Sequence, residues 1–234
     1  MVINMSVMSF LNTKAKAFVV FLFSLISVAL IAVAAFLGVA VFKEFYGLAA
    51  AITLMILAIP FHLQGKKRKW TYTVSFLMNS VANGFSVSTY YSAKNIDLSI
   101  EGVLLAVIPA VGILLLVYLM LQTFNKTKKV TVTVACILNG ALTVALTVLW
   151  IIYGWLIFSF GFFCSLISFF YLCVFGITVN HDERSVLRDI SFGSFGSFII
   201  ITVVVIFILS EGEILEGFDG LDFGGSGKNS KKKK

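Results

Sequence analysis

The chain has 234 residues, 59% of them hydrophobic and only 12% charged, with a formal net charge of +7. A mean hydropathy of +1.02 excludes an ordinary soluble domain, in which about a quarter of the residues are charged. It describes a chain that lies mostly in lipid. The positive charge then points to topology and phospholipid contact, not to a nucleic-acid partner.

The charges fall in short clusters separated by long uncharged runs. Each run is near the ~20 residues that a helix needs to cross a bilayer. The runs are continuously apolar and do not alternate, which selects helices over a barrel. The expected fold is therefore all-α, a polytopic transmembrane helical bundle. Its seven spans are 17–42, 46–64, 70–93, 102–124, 130–152, 156–178 and 190–210, forming one domain over 1–210 with a polar tail over 211–234.

The first span follows Lys14 and Lys16 and carries Ala34-x-x-x-Gly38, a spacing that lets helix backbones approach closely. It is too long for a secretory peptide and lacks a clear cleavage site, so it is expected to stay as an anchor. The second span is short, with Pro60 and then His62 beside Gln64 near its end. Were it not to cross, six spans would remain and the tail would change sides. The basic run Lys66, Lys67, Arg68 and Lys69 follows.

The third span holds the densest polar pattern. At 100° per residue, Tyr72, Ser75, Asn79, Asn83, Ser86 and Tyr90 fall within an arc of about 80°. Val74, Leu77, Val81 and Phe85 take the opposite face, fit for lipid or apolar packing. The fourth span contains Pro109 and Gly112, a place for an ordinary kink. After Lys126, Lys128 and Lys129, the fifth span repeats the polar stripe more sparingly with Cys136, Asn139, Thr143, Thr147 and Trp150.

No charge occurs from Val130 to Thr178, a stretch that would be ~73 Å long as one helix. It must fold back, and Tyr153-Gly154-Trp155 is the expected turn. The sixth span is rich in phenylalanine and carries Gly161-x-x-x-Ser165. A loop with His181-Asp182-Glu183-Arg184 and Arg188 leads to the seventh span, which opens with Ser191-Phe-Gly-Ser-Phe-Gly-Ser-Phe198 and includes Gly193-x-x-x-Ser197. Its glycines lower helix propensity, marking a hinge or a close contact. The tail runs from acidic residues (Glu211, Glu213, Glu216, Asp219, Asp222) through a Gly/Ser spacer to Lys228 and Lys231–Lys234. It reads as a solvated segment, with attachment to an anionic surface as its functional version.

The basic residues sit in alternate connections, whereas the intervening ones hold only Lys43, then Lys94, then none. The positive-inside bias places the N-terminus in the cytoplasm and the tail on the opposite side of the cell membrane.

A twelve-residue stretch is also written twice. Lys69–Ser80 aligns without gaps to Lys129–Gly140, with identities at Lys69/Lys129, Thr71/Thr131, Thr73/Thr133, Val74/Val134 and Asn79/Asn139. Both copies enter from the same side, so the hairpins 66–124 and 126–178 are candidate parallel repeats, an arrangement found in some transporters. Each carries one asparagine into hydrocarbon, where an unpaired amide is costly.

Two readings of the stripes are open. As a lining, Tyr72, Ser75, Asn79, Asn83, Ser86, Tyr90, Asn139, Thr143 and Thr147 would bind a small polar solute, the two stripes facing one another or water. As fasteners, they would be interhelical hydrogen bonds worth ~0.6 kcal/mol each on average.

No Asp, Glu, Lys, Arg or His lies deep in a span, so neither a proton-coupled pump nor a voltage sensor is expected. The seventh span has no lysine for a retinal Schiff base. Neither a nucleophile with its base nor a ligand cluster is visible, so the chain is read as a non-enzyme with no cofactor and no metal. Within His181–Arg184 a metal would lack further ligands. Cys136, Cys164 and Cys173 are an odd set inside spans, without C-x-x-C spacing, and read as small apolar residues. Neither the Pro-Gln motif of seven-helix sugar carriers, the receptor motifs Asp-Arg-Tyr and Asn-Pro-x-x-Tyr, nor a nucleotide-binding signature is present.

The sequence thus leads to two functions. One is a transporter, or a membrane-embedded binding subunit, for a small uncharged or zwitterionic solute. The other is a non-catalytic scaffold or assembly subunit that meets a membrane-protein partner or a second copy of itself.

Overall fold

The computed structural model describes residues 13–42, 45–123, 128–180 and 185–210. Lys43, Lys126, the His181–Arg184 cluster and the tail from Glu211 through the terminal lysines lie outside the described residues. Seven helices form: α1 (Thr13–Val41), α2 (Tyr46–Gln64), α3 (Trp70–Ala93), α4 (Ile100–Thr123), α5 (Lys128–Tyr153), α6 (Leu156–Asn180) and α7 (Val186–Leu209). The described residues contain no strand.

The helices match the expected spans to within a few residues, with two informative extensions. α1 begins early enough to include Lys14 and Lys16, and Lys16, expected in a connecting loop, is only 2% exposed. α7 begins at Val186, so Arg188 and Asp189 belong to its first turn and not to a loop. Pro60 and Pro109 lie inside continuous helices. The expected fold-back is observed: α5 stops at Tyr153, α6 starts at Leu156, and Gly154 between them has φ +64° with its N–H on the Trp150 carbonyl at 2.8 Å. Glycine is the residue that takes this left-handed conformation without a Cβ penalty. α3 ends in a similar way through Asn95 at φ 52°, where the Ile96 N–H reaches the Tyr91 carbonyl and the Asn95 N–H that of Ser92. That pair of bonds is a Schellman motif with asparagine in the left-handed position.

Six of the seven helices are long and apolar enough to cross a membrane, the make-up of a multi-pass membrane protein. The short α2, the doubtful crosser by sequence, qualifies at 19 residues and mean hydropathy 1.9. α3 is the one that does not. Its place in the bundle explains why a polar helix is tolerated. α1, α2 and α7 pack around it, and 15 of its 24 residues are buried. Only its apolar side faces outward, with Leu77 exposed and Val74, Val81 and Phe85 half-buried.

α6 is a second hub, held by α4, α5, α1 and α7. α1 and α7 touch both hubs and stand between them. The core beneath is aromatic, with Phe76, Tyr91, Phe160, Phe163, Tyr171 and Phe175 fully buried. α4 and α5 turn Leu104, Ile108, Leu116, Ile137, Val144 and Ile151 outward, faces suited to lipid. Close approach around α3 depends on small residues: a Cβ at Gly84 would stand against the Ala34 Cβ and 2.7 Å from the Ile31 carbonyl oxygen.

The two expected repeat hairpins are not equivalent in this arrangement. α5 and α6 form a closely packed antiparallel pair, whereas α3 and α4 barely touch. The shared twelve-residue motif therefore enters two different environments, and a duplicated hairpin finds no support in the packing.

Candidate functional site

The stripe on α3 meets a matching stripe on α7. Ser191, Ser194 and Ser197 recur every three residues, a spacing that keeps them on neighbouring positions of one helical face. α3 and α7 run parallel, since the partner numbers rise together: Asn79 with Ser194, Asn83 with Ser197, Ser86 with Thr202. From Asn79 to Ser86 the chain climbs ~10.5 Å, and from Ser194 to Thr202 ~12 Å, so the two rows stay in step.

Proton counting fixes the direction of these bonds. The Ser194 hydroxyl donates to the Ser191 carbonyl at 2.7 Å, and the Ser197 hydroxyl donates to that of Ser194 at 2.9 Å. Each has then used its one proton and has only lone pairs left. Asn79 therefore donates from Nδ2 to Ser194 Oγ at 3.3 Å, and Asn83 donates to Ser197 Oγ at 3.0 Å. The amide oxygens turn the other way, and Asn79 Oδ1 and Asn83 Oδ1, with Ser75 Oγ, have no hydrogen-bond partner among protein groups. Ser86 and Thr202 share a bond of 3.1 Å.

Two further contacts tie this row to its neighbours. His62 of α2 meets Ser191 through Nδ1 at 2.8 Å, with its ring edge-on to Tyr72 and Phe195. Ser80, on the other side of α3, pairs with Ser27 of α1 at 3.0 Å. The Tyr171 hydroxyl of α6 sits beside that pair, outside hydrogen-bonding geometry.

The Ser-Phe-Gly repeat of α7 serves three directions at once. Its serines face α2 and α3, while its glycines face α6. A Cβ at Gly193 would come to 2.5 Å from Val174 Cγ2, and one at Gly196 to 2.7 Å from the Phe170 ring. Of its phenylalanines, Phe192 is exposed, Phe195 touches His62 and Phe198 is buried. Of the two expectations for this segment, the close contact is observed, within a helix that is continuous from Val186 to Leu209.

The α5 stripe has a different partner. Asn139 donates from Nδ2 to the Ser165 carbonyl of α6 at 2.9 Å. Thr143 spends its proton on the Asn139 carbonyl at 2.8 Å and so accepts from the Ser165 hydroxyl at 2.6 Å. Thr147 bonds back to the Thr143 carbonyl at 2.8 Å. Cys136, at the start of the stripe, lies beside Cys173 of α6.

The expectation that the two stripes face one another is therefore corrected. The hubs α3 and α6 touch through side chains such as Tyr91 and Ser159, 2.9 Å apart, while α5 packs chiefly on α6. The stripes meet at one end, where the Tyr90 and Trp150 rings stand edge to face at 5.4 Å. Nor does the α3 stripe face water: Ser75, Asn79, Asn83 and Ser86 are 0% exposed, as is Asn139, and Tyr72 and Tyr90 reach only 4% and 5%. Thr143 and Thr147 are half-buried.

Cavities of about 390, 400 and 460 Å³ lie elsewhere, and none of the nine expected lining residues borders them. The first is an apolar groove between α4 and α5. The second lies by Tyr91, Asn95 and Asp97 at the end of α3, and the third between α2, α6 and α7. No protein-family model matches the chain, and neither does any curated protein or solved structure. The described residues hold no group of three or more His, Cys, Asp or Glu side chains placed to share a metal ion.

The sequence did not point to α7 as the partner of α3. In the sequence its serines are one arm of a three-residue repeat shared with phenylalanine and glycine. A parallel row of hydroxyls at nearly the same rise as the asparagine row was the available signal.

Proposed function

We propose that the protein is a non-catalytic multi-pass subunit of the cell membrane, a scaffold or assembly component, whose polar stripes fasten its own helices. It acts through the apolar outer faces of α4 and α5, toward a membrane-protein partner or a second copy. The observation that carries this reading is the burial of Asn79, Asn83 and Asn139 at 0% exposure with each amide nitrogen bonded to a neighbouring helix of the same chain. Fasteners of this kind are what polar side chains supply between helices in lipid, where hydrophobic burial adds nothing to helix association. The basic connections at one end support a cytoplasmic N-terminus.

A transporter or solute-binding subunit is the competing reading, and one observation favours it. Asn79 Oδ1, Asn83 Oδ1, Ser75 Oγ and Asn139 Oδ1 are buried acceptors or hydroxyls without a protein partner, and such groups are costly in an apolar setting.

Cysteine accessibility separates the two. Cysteines replace Asn79 and Asn139 one at a time, in a background lacking Cys136, Cys164 and Cys173, and intact membranes are treated with a water-soluble thiol reagent. The fastener reading expects both positions protected in a folded protein. Labelling of both would overturn it in favour of a solute path.

A further inference from the structure

The third cavity, of about 460 Å³, differs from the others in the company it keeps. Phe170, Val174 and Ile177 of α6 and Phe192 of α7 make an apolar wall, and His62, Arg188 and Asp189 stand on its polar side. Arg188 is exposed in the first turn of a membrane-length helix, the depth at which phospholipid headgroups lie. Phe192, one turn further along the same face, is 67% exposed. A guanidinium followed by an uncovered ring along one face matches a molecule with an anionic head and a hydrocarbon chain. His62 is fixed by Ser191 and by two aromatic rings. With Nδ1 committed to Ser191, Nε2 is the nitrogen left for a ligand.

The surroundings add charge of the same sign. α2 leaves His62 and runs directly into Lys66, Lys67, Arg68 and Lys69, the first three exposed. These four follow His62 in the chain without lining the cavity; among the described residues that line it, Arg188 is exposed, and the one carboxylate, Asp189, is 9% exposed and itself engaged. The balance is basic, so the headgroup it suits is anionic. The volume lies within the ~300–1,000 Å³ usual for small-molecule sites, well beyond what a bare phosphate ion needs.

We propose that this cavity between α2, α6 and α7 binds an acidic phospholipid, its phosphate on Arg188 and His62 and its acyl chain along Phe170, Val174, Ile177 and Phe192. The chain walls make it a lipid site and not a site for a soluble anion.

The test uses the full chain purified in detergent and follows thermal melting on titration with phosphatidylglycerol, phosphatidylcholine of the same acyl chains, and inorganic phosphate. Phosphatidylglycerol is expected to raise Tm saturably at concentrations where phosphatidylcholine does little and phosphate nothing. Arg188→Gln is expected to weaken the apparent affinity for phosphatidylglycerol about five-fold, from the loss of one interfacial charge, while Arg188→Lys keeps most of it. Ile177→Trp, which fills the apolar part and leaves the charges in place, is expected to weaken it as well without lowering the lipid-free Tm. Equal responses to the two lipids would overturn the proposal. An unchanged response in Arg188→Gln or Ile177→Trp would do the same. Full competition by inorganic phosphate would assign the site to a soluble anion and overturn the lipid assignment.

Discussion

The Asn83–Ser197 bond offers the most direct measure of what holds α3 to α7. The perturbation is a double-mutant cycle of Asn83→Ala, Ser197→Ala and the pair. Each single change carries side effects: Asn83→Ala opens space and also removes the partnerless Oδ1, and Ser197→Ala removes the hydroxyl that donates to the Ser194 carbonyl. These cancel in the cycle and leave the coupling. At 3.0 Å, between two side chains that are 0% and 1% exposed, the expected coupling is ~0.6 kcal/mol, with ~1.7 kcal/mol as the ceiling for such bonds in membrane proteins. The three bonds from α3 to α7 together then hold on the order of 2 kcal/mol, enough to order a helix pair but far from the whole stability of a bundle. Unfolding would be followed by tryptophan fluorescence in mixed micelles with increasing denaturing detergent. A control cycle between Asn83 and Ser159, whose hydroxyl instead serves Tyr91 on another face, is expected to give coupling within the ~0.3–0.5 kcal/mol noise of distant pairs. If Asn83 and Ser197 couple no more strongly than this control, the fastener argument is refuted.

Other expectations follow from the same geometry. Gly84→Ala is expected to lower stability by about 1–3 kcal/mol through overpacking against Ala34 and the Ile31 carbonyl, whereas Gly140→Ala, which meets nothing within 4 Å, should be neutral or gain up to ~1 kcal/mol of helix propensity. Detergent-denaturation midpoints of the two variants would check both, and a reversed order would contradict the packing around α3. Mild oxidation is expected to join Cys136 to Cys173, which lie side by side, and to spare buried Cys164. Cleavage at a protease site placed at Gly154 would then leave the halves linked on a non-reducing gel, and separated halves would count against the α5–α6 contact. Asn79→Leu is expected to change stability by less than Asn79→Ala, because leucine fills the space while removing an acceptor that has no partner. A larger loss for leucine would mean that the space Asn79 fills cannot take a branched apolar side chain.

The existence of seven helices was legible from charge spacing, since a charge-free run from Val130 to Thr178 cannot be one helix in a bilayer, and Tyr153-Gly154-Trp155 marked where it turns. The polar face of α3 was legible too: Tyr72, Ser75, Asn79, Asn83, Ser86 and Tyr90 share one arc, and the fold buries all of them, together with other residues of that helix outside the arc. What the sequence did not carry was the identity of the neighbours. Likeness between Lys69–Ser80 and Lys129–Gly140 suggested that Asn79 and Asn139 share a site, yet helix pairing is decided by which backbones can approach, and glycines 84, 193 and 196 decide it here. Lys16 misled in a similar way, because a charge at a helix end looks alike in sequence whether it faces solvent or, as here, is buried. His62 and Ser191 are 129 residues apart, and only the fold brings them together.

The polar character of α3 bears on how the chain is made. The one described helix not apolar enough to count as a membrane span is translated third, while the serine that bonds Asn79 arrives 115 residues later on α7, the last described helix to leave the ribosome. α1 and α2 are already present by then, and both pack against α3, with Ser27 of α1 available to Ser80. The first three helices can thus insert as a provisional trio with one polar flank uncovered. A nascent chain halted before α7 would keep that flank open to whatever insertion factor or quality-control protease recognises unpaired amides in the membrane. Completion of α7 supplies the hydroxyls that close the flank.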